Sequence, residues 1–135
     1  MSEYSNLERR LADREVILLD GAIGTRLQSM GVPMSGFAWA AAALETHPST
    51  VCRMHEQYIE AGADIITTNT YASARHNLEP IGLVEKVTEL NLRAVALAQD
   101  ARDKAAKERP VLVAGSVSNF GLRVASEGDY ERRRS

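Results

Sequence analysis

The chain has 135 residues, of which 44% are hydrophobic and 25% charged, with a formal net charge of −2 and a pI of about 5.9. That balance fits a soluble globular protein and excludes a general electrostatic attraction to nucleic acid or to an anionic membrane, so a small molecule is the expected partner. The one cysteine, Cys52, excludes an internal disulfide framework and any metal site built from cysteines of this chain alone, which makes a reducing cytoplasm the expected compartment.

The opening stretch, Met1 to Arg10, is polar and lacks the apolar core of a signal peptide, and no apolar run reaches membrane-spanning length. Val16-Ile17-Leu18-Leu19-Asp20 is a short apolar run that stops at Asp-Gly, which predicts a first strand buried on both faces. From Gly21 to Thr46 the chain holds Gly31, Pro33, Gly36 and an alanine run at Ala40 to Ala43, the pattern of a long loop with a helical piece inside it. After His47-Pro48, the residues Val51, Met54, Tyr58 and Ile59 share one face of an amphipathic helix, and Ala61-Gly62 supplies its stop.

Asp64 to Thr70 is short and rich in β-branched residues, predicting a second buried strand. Leu83, Val87, Leu90, Ala94, Leu97 and Ala101 then recur at helical spacing, with Glu85, Lys86 and Arg93 on a charged outer face. Pro110 introduces a third buried strand, Val111 to Ser116, and the tail from Glu127 to Ser135 is polar and reads as a solvated segment. Apolar strands alternating with helices predict an α/β fold with parallel pairing, either a barrel or a doubly wound sheet. No repeat or linker divides residues 1–135, so one domain is expected.

In either architecture the C-terminal strand ends share one side, and ligands bind there. The polar residues gather at those ends: Asp20 and Gly21, then Thr67, Thr68, Asn69 and Thr70, then Gly115 and Ser116. Asp20 closes an apolar strand, where a carboxylate costs several kcal/mol unless it meets a cation or hydrogen-bond donors. A ligand ammonium would satisfy it, and so would a turn cap. Gly21 and Gly24 would let backbone approach a ligand, although Gly-x-x-Gly does not match a dinucleotide fingerprint. His55 reads as a structural histidine bonded to backbone, His47 as the start of a helix and His76 as a loop residue. Cys52 reads as a helix-packing residue with no cationic cluster around it, and Trp39 and Tyr71 as aromatic packing or pocket wall.

Taken together, Leu19-Asp20-Gly21-Ala22-Ile23-Gly24-Thr25, Trp39, His55 with Tyr58, the block Ala61 to Tyr71 (Ala-Gly-Ala-Asp-Ile-Ile-Thr-Thr-Asn-Thr-Tyr) and Val113-Ala114-Gly115-Ser116 resemble the homocysteine S-methyltransferase family in order and spacing. The resemblance runs from about Val16 to Gly121. It implies a TIM-type (β/α)8 barrel, of which this chain would supply about the first three β/α units with parallel strands as the N-terminal portion of one homocysteine-binding domain. It implies homocysteine at the C-terminal rim, a methyl donor, and a zinc ion that holds the substrate thiolate so that a good nucleophile exists at neutral pH. On that basis Asp20 contacts the substrate ammonium, Gly21 supplies backbone contacts, and Thr68, Asn69 and Thr70 line the same pocket.

Two departures accompany the match. The family's zinc ligands are cysteines of later strands, including an adjacent Cys-Cys pair, and Cys52 matches none of them; Ser116 to Gly121 also differs from the Gly-Pro-Tyr-Gly pattern expected after the third strand. A roughly 250-residue barrel is far longer than this chain. The alternative reading is therefore a truncated or decayed, non-catalytic product that binds a ligand weakly or associates with itself through an open sheet edge.

Overall fold

The computed structural model describes residues 2–34 and 36–119. The charged tail from Glu127 to Ser135, and Phe120 and Gly121, lie outside the described residues.

The polar N-terminus, unassigned from sequence, forms a helix, α1 (Glu3–Ala12). Ser2 caps it by accepting from the Ser5 amide at 3.1 Å, while Glu3 in the first turn and Arg9 and Arg10 in the last complement the helix dipole. The stretch expected to be a loop contains three helical pieces: α2 (Ile23–Ser29), a 3-10 turn at Ala40–Ala42, and α3 (Ala43–Thr46). The amphipathic pattern after His47 gives α4 (Pro48–Glu60), with Pro48 in the first turn. Its end is a Schellman closure: Gly62 has φ +111°, its amide donates to Ile59 O, and the Ala63 amide donates to Tyr58 O, both at 3.0 Å.

Strand β1 (Ile65–Thr67) follows, then the short α5 (Arg75–Leu78), the long α6 (Val87–Ala105) and β2 (Leu112–Ala114). β1 and β2 are parallel, with Ile65, Ile66 and Thr67 opposite Leu112, Val113 and Ala114. The predicted first strand is reduced to an extended segment with one parallel bridge, Leu19 to Ile65. Its order and direction are nevertheless those expected, with the segment on one side of β1 and β2 on the other. The expectation that this run is buried on both faces is corrected: Val16, Leu18 and Leu19 are 78%, 50% and 67% exposed. Among the described residues nothing pairs with the free edge of this segment.

Helix α4 lies between two apolar clusters. One joins Val51 and Met54 to Leu27, Leu44, Leu78 and Leu90, and the other joins Cys52 and Ile59 to Ile66, Val111 and α6. The buried stripe of α6 is Leu90, Ala94, Ala98 and Ala101, small side chains that let the two helices approach closely. Lys86 and Arg93, expected on the charged outer face of α6, instead turn onto α3. Both pair with Glu45, and Arg93 also donates to Leu44 O at 2.9 Å, so they pin the short helix in place. At the N-terminal strand ends, α1 residues Leu7 and Arg10 share a cavity of about 380 Å³ with Asp64, Ile65 and Val111.

This packing sets an expected outcome. Ala98→Leu inserts three carbons into the closed α4–α6 contact and should destabilise the chain by about 1–3 kcal/mol. Ala96→Leu on the exposed face of α6 should change stability by less than about 0.5 kcal/mol. Urea unfolding followed by circular dichroism measures both, and equal effects would contradict the assignment of the buried stripe.

Candidate functional site

Parallel pairing carries the ends of the extended segment, β1 and β2 to one side, where they border a cavity of about 340 Å³. Asp20, Gly21, Thr67, Asn69, Tyr71 and Ser116 are among the residues that line it. The Asp20 carboxylate is half-buried and held by a single residue of β1: Thr67 donates its amide to Oδ2 at 2.7 Å and its hydroxyl to Oδ1 at 2.9 Å. Burial pushes the Asp20 carboxyl above its ordinary value, and the two bonds from Thr67 oppose that shift. The carboxylate is thus both oriented and desolvated, a state that favours a cationic partner.

Of the predicted site residues, the structure brings Asp20, Gly21 and Asn69 to the cavity. Asn69 is buried and donates its amide to Ala40 O at 2.9 Å, which ties the 3-10 turn to the end of β1. Thr68 and Thr70 are placed behind the wall. Ser116 N donates to Thr68 Oγ1 at 3.2 Å, Thr70 Oγ1 donates to Ser116 O at 2.7 Å, and the two hydroxyls lie 2.8 Å apart, which leaves the Thr68 hydroxyl to donate to Thr70. This closed circuit locks the end of β1 to the end of β2. Thr67, grouped with the rim residues in sequence but not among the favoured pocket residues, is the one that grips Asp20.

The two glycines of the Gly-x-x-Gly turn both border the cavity, and each also makes room for an aromatic ring. A Cβ at Gly21 would lie 2.9 Å from the Tyr58 hydroxyl oxygen, and one at Gly24 would lie 2.5 Å from Trp39 Nε1. The space where each Cβ would stand is filled by an aromatic ring of the chain itself, so a larger side chain at either position would collide with that ring. Trp39 stands at φ +44° and ψ −120°, a backbone state that costs a non-glycine residue about 1–3 kcal/mol. It meets Tyr71 edge-on, with ring centroids 6.4 Å apart at 88°, and both residues line the cavity.

The remaining candidates lie elsewhere. Cys52 is buried against α6, with one lysine, Lys104, 3.8 Å from its sulfur and the Glu56 carboxylate at 3.5 Å. Burial still pushes its thiol above the ordinary value. His47 begins α4 and bonds to the Thr46 hydroxyl at 2.8 Å, as a helix-starting residue, whereas His76 sits in α5 rather than in a loop. His55 is fully buried and neither ring nitrogen has a hydrogen-bond partner among the described residues, which corrects the expected backbone bond. Among the described residues no three His, Cys, Asp or Glu side chains are grouped to hold a metal ion, and Cys52 faces the helix layer away from the cavity. The described residues therefore do not fit a zinc site. No helix among them is long and apolar enough to cross a membrane.

Comparison with known proteins decides the family. Residues 17–134 match the family model described as homocysteine S-methyltransferase. The chain belongs to the homocysteine S-methyltransferase family. It is 32% identical over 126 residues to a selenocysteine Se-methyltransferase of Brassica oleracea var. italica, covering 84% of this chain and 36% of that protein. It is 31% identical over 135 residues to a homocysteine S-methyltransferase of Escherichia coli strain K12, covering 96% and 44%. The crystal structure of the homocysteine methyltransferase MmuM from Escherichia coli, in its metallated form, superposes with a TM-score of 0.74 at 33% identity, over 90% of this chain and 44% of that one. The chain thus spans less than half the length of these relatives, and its α/β architecture is theirs over the shared part.

The orphaned imidazole of His55 gives a pH dependence. Burial lowers its pKa from 6.5 to about 4, so the folded state binds fewer protons than the unfolded state between these values. The resulting stability is complete above about pH 6.5 and falls as the pH drops toward 4, by about 3 kcal/mol in all. His55→Leu should flatten that acid limb and raise stability at neutral pH, because it removes buried nitrogens that have no partners. Urea midpoints from pH 4 to 8 measure it, and an unchanged acid limb in the variant would rule His55 out as its source.

Proposed function

We propose that the cavity at the strand ends is the homocysteine pocket of an S-methyltransferase, and that the chain forms about the first three β/α units of a (β/α)8 barrel. The observation that carries this reading is Asp20, a half-buried carboxylate oriented by Thr67 on the wall of a cavity that Trp39 and Tyr71 also line, in a chain of this family. Each carboxylate oxygen accepts more than one hydrogen bond, so Asp20 retains capacity for a substrate ammonium while Thr67 holds it. Gly21 contributes backbone beside that position and Asn69 a wall, while Thr68 and Thr70 set the rim through Ser116.

The family reaction transfers a methyl group from a donor to the homocysteine sulfur, and zinc supplies a reactive thiolate at neutral pH. The ligands for that ion do not come from the described residues, so this part of the domain binds and orients the amino-acid end of the substrate. A reducing cytoplasm suits a thiol substrate.

Homocysteine titrated into the 135-residue chain should shift the amide resonances of Gly21, Thr67 and Asn69 saturably. Asp20→Asn should weaken that binding by about tenfold or more, the worth of a hydrogen bond to a charged group. Binding of equal strength in the variant, or shifts scattered away from the strand ends, would reject the pocket.

The purified chain with added zinc should show no methyl transfer to homocysteine, because one thiol cannot build the family's zinc site. Turnover with stoichiometric zinc would reverse this. A second reading, a non-catalytic chain that associates with itself, is favoured by the exposed apolar residues Val16, Leu18 and Leu19 on an unpaired edge. Sedimentation that shows assemblies larger than one chain supports it, and a monodisperse monomer counts against it.

A further inference from the structure

Asp20 and Gly21 belong to a short turn between the extended segment and α2, and the side chain that braces this turn comes from a different element. Tyr58, in the last two turns of α4, donates its hydroxyl to the Ala22 carbonyl at 2.9 Å. Its ring occupies the space beside Gly21, with Oη, Cε1 and Cζ at 2.9, 3.0 and 3.2 Å from where a Cβ would stand. Tyr58 does not line the cavity, and Ala22, whose carbonyl it holds, does. The same helix is anchored to α2 one residue earlier, where Arg26 donates to Gln57 Oε1 at 2.8 Å.

We propose that Tyr58 is a positioning residue, which holds the Asp20–Gly21–Ala22 turn through the Ala22 carbonyl and so sets the Asp20 carboxylate for the ligand ammonium. The inference rests on the reading of the cavity as a homocysteine pocket and extends it to a residue outside the cavity. Three observations support it. Among the described residues the only hydrogen bonds to the Asp20 side chain come from the amide and hydroxyl of Thr67. The backbone after Asp20 is a turn preceding α2, whose first residue has no side-chain cap of its own. The charge of Asp20 also reaches Tyr58, raising the phenol's pKa after the larger effect of burial.

The test compares Tyr58→Phe, which keeps the ring and loses the hydroxyl, with Tyr58→Leu, which loses both. The first readout needs no ligand: the Thr67 amide proton should follow the titration of Asp20 in the 135-residue chain, since it donates to that carboxylate. In Tyr58→Phe the amplitude of this titration should fall by half or more while the unfolding midpoint in urea stays near that of the parent chain, and in Tyr58→Leu it should fall further. The second readout is homocysteine affinity, expected to weaken about fivefold in Tyr58→Phe, equivalent to one hydrogen bond of about 1 kcal/mol.

A parent-like Thr67 titration in both variants overturns the inference whether or not homocysteine binds. If homocysteine binds the parent chain and loses affinity in Asp20→Asn but not in Tyr58→Phe, the pocket stands and the role of Tyr58 falls. If homocysteine fails to bind the parent chain, the pocket reading falls, and the Thr67 titration alone decides whether Tyr58 holds the turn.

Discussion

The extended segment and β1 are joined by two carboxylates that each reach across to the other strand's backbone. Asp64, before β1, accepts from the Leu18 amide at 2.9 Å, and Asp20, at the end of the segment, accepts from the Thr67 amide at 2.7 Å. Between these clamps lie the single bridge and a few main-chain bonds, including Asp20 N to Ile65 O at 2.9 Å. A segment with an unpaired outer edge would otherwise have little to fix its register. The position of Asp20 in the cavity depends on this register, because a slip of one residue would turn its side chain to the opposite face.

The two ends of the strand pair differ in electrostatic surroundings, and that difference separates framework from site. Asp64 is held well within the ionised range by the Leu18 amide and by Arg10, with Arg109 3.5 Å away. It ties α1 and the connection before β2 to the N-terminal ends of the strands. Among the described residues no cation stands beside Asp20, and burial raises its carboxyl instead of lowering it. A charge with its partners supplied by the fold is a strut, whereas one desolvated without a cation leaves room for a ligand to supply it.

Helix α4 serves as the platform for both the core and the rim. Its apolar residues close the two clusters, its Schellman turn delivers the chain into β1, and Tyr58 reaches the turn after Asp20. The same helix carries a cost in His55, whose buried nitrogens find no partner, a penalty of about 1–3 kcal/mol for each unsatisfied group. Trp39, which also lines the cavity, adds backbone strain. The rim is therefore assembled from elements that the core must hold against unfavourable local terms, as expected where a site is shaped in advance of its ligand.

The sequence by itself determined the alternation of the apolar extended runs with the two long helices, and which strand ends are polar. Hydrophobic period and turn chemistry are local properties, so α4 with its Ala61-Gly62 stop, the core of β1 and the long α6 were legible, and the run of motifs from Leu19 to Ser116 was enough to place the family. Tertiary structure alone decided which polar residues meet. Thr67 faces Asp20 while Thr68 turns away to Ser116, because strand alternation leaves the phase open until a neighbour settles it. The glycine pair borders the cavity and also admits Tyr58 and Trp39, contacts 37 and 15 residues away in the chain that no local pattern encodes. The same holds for Lys86 and Arg93, whose helical spacing placed them outward until Glu45 of α3 came within reach.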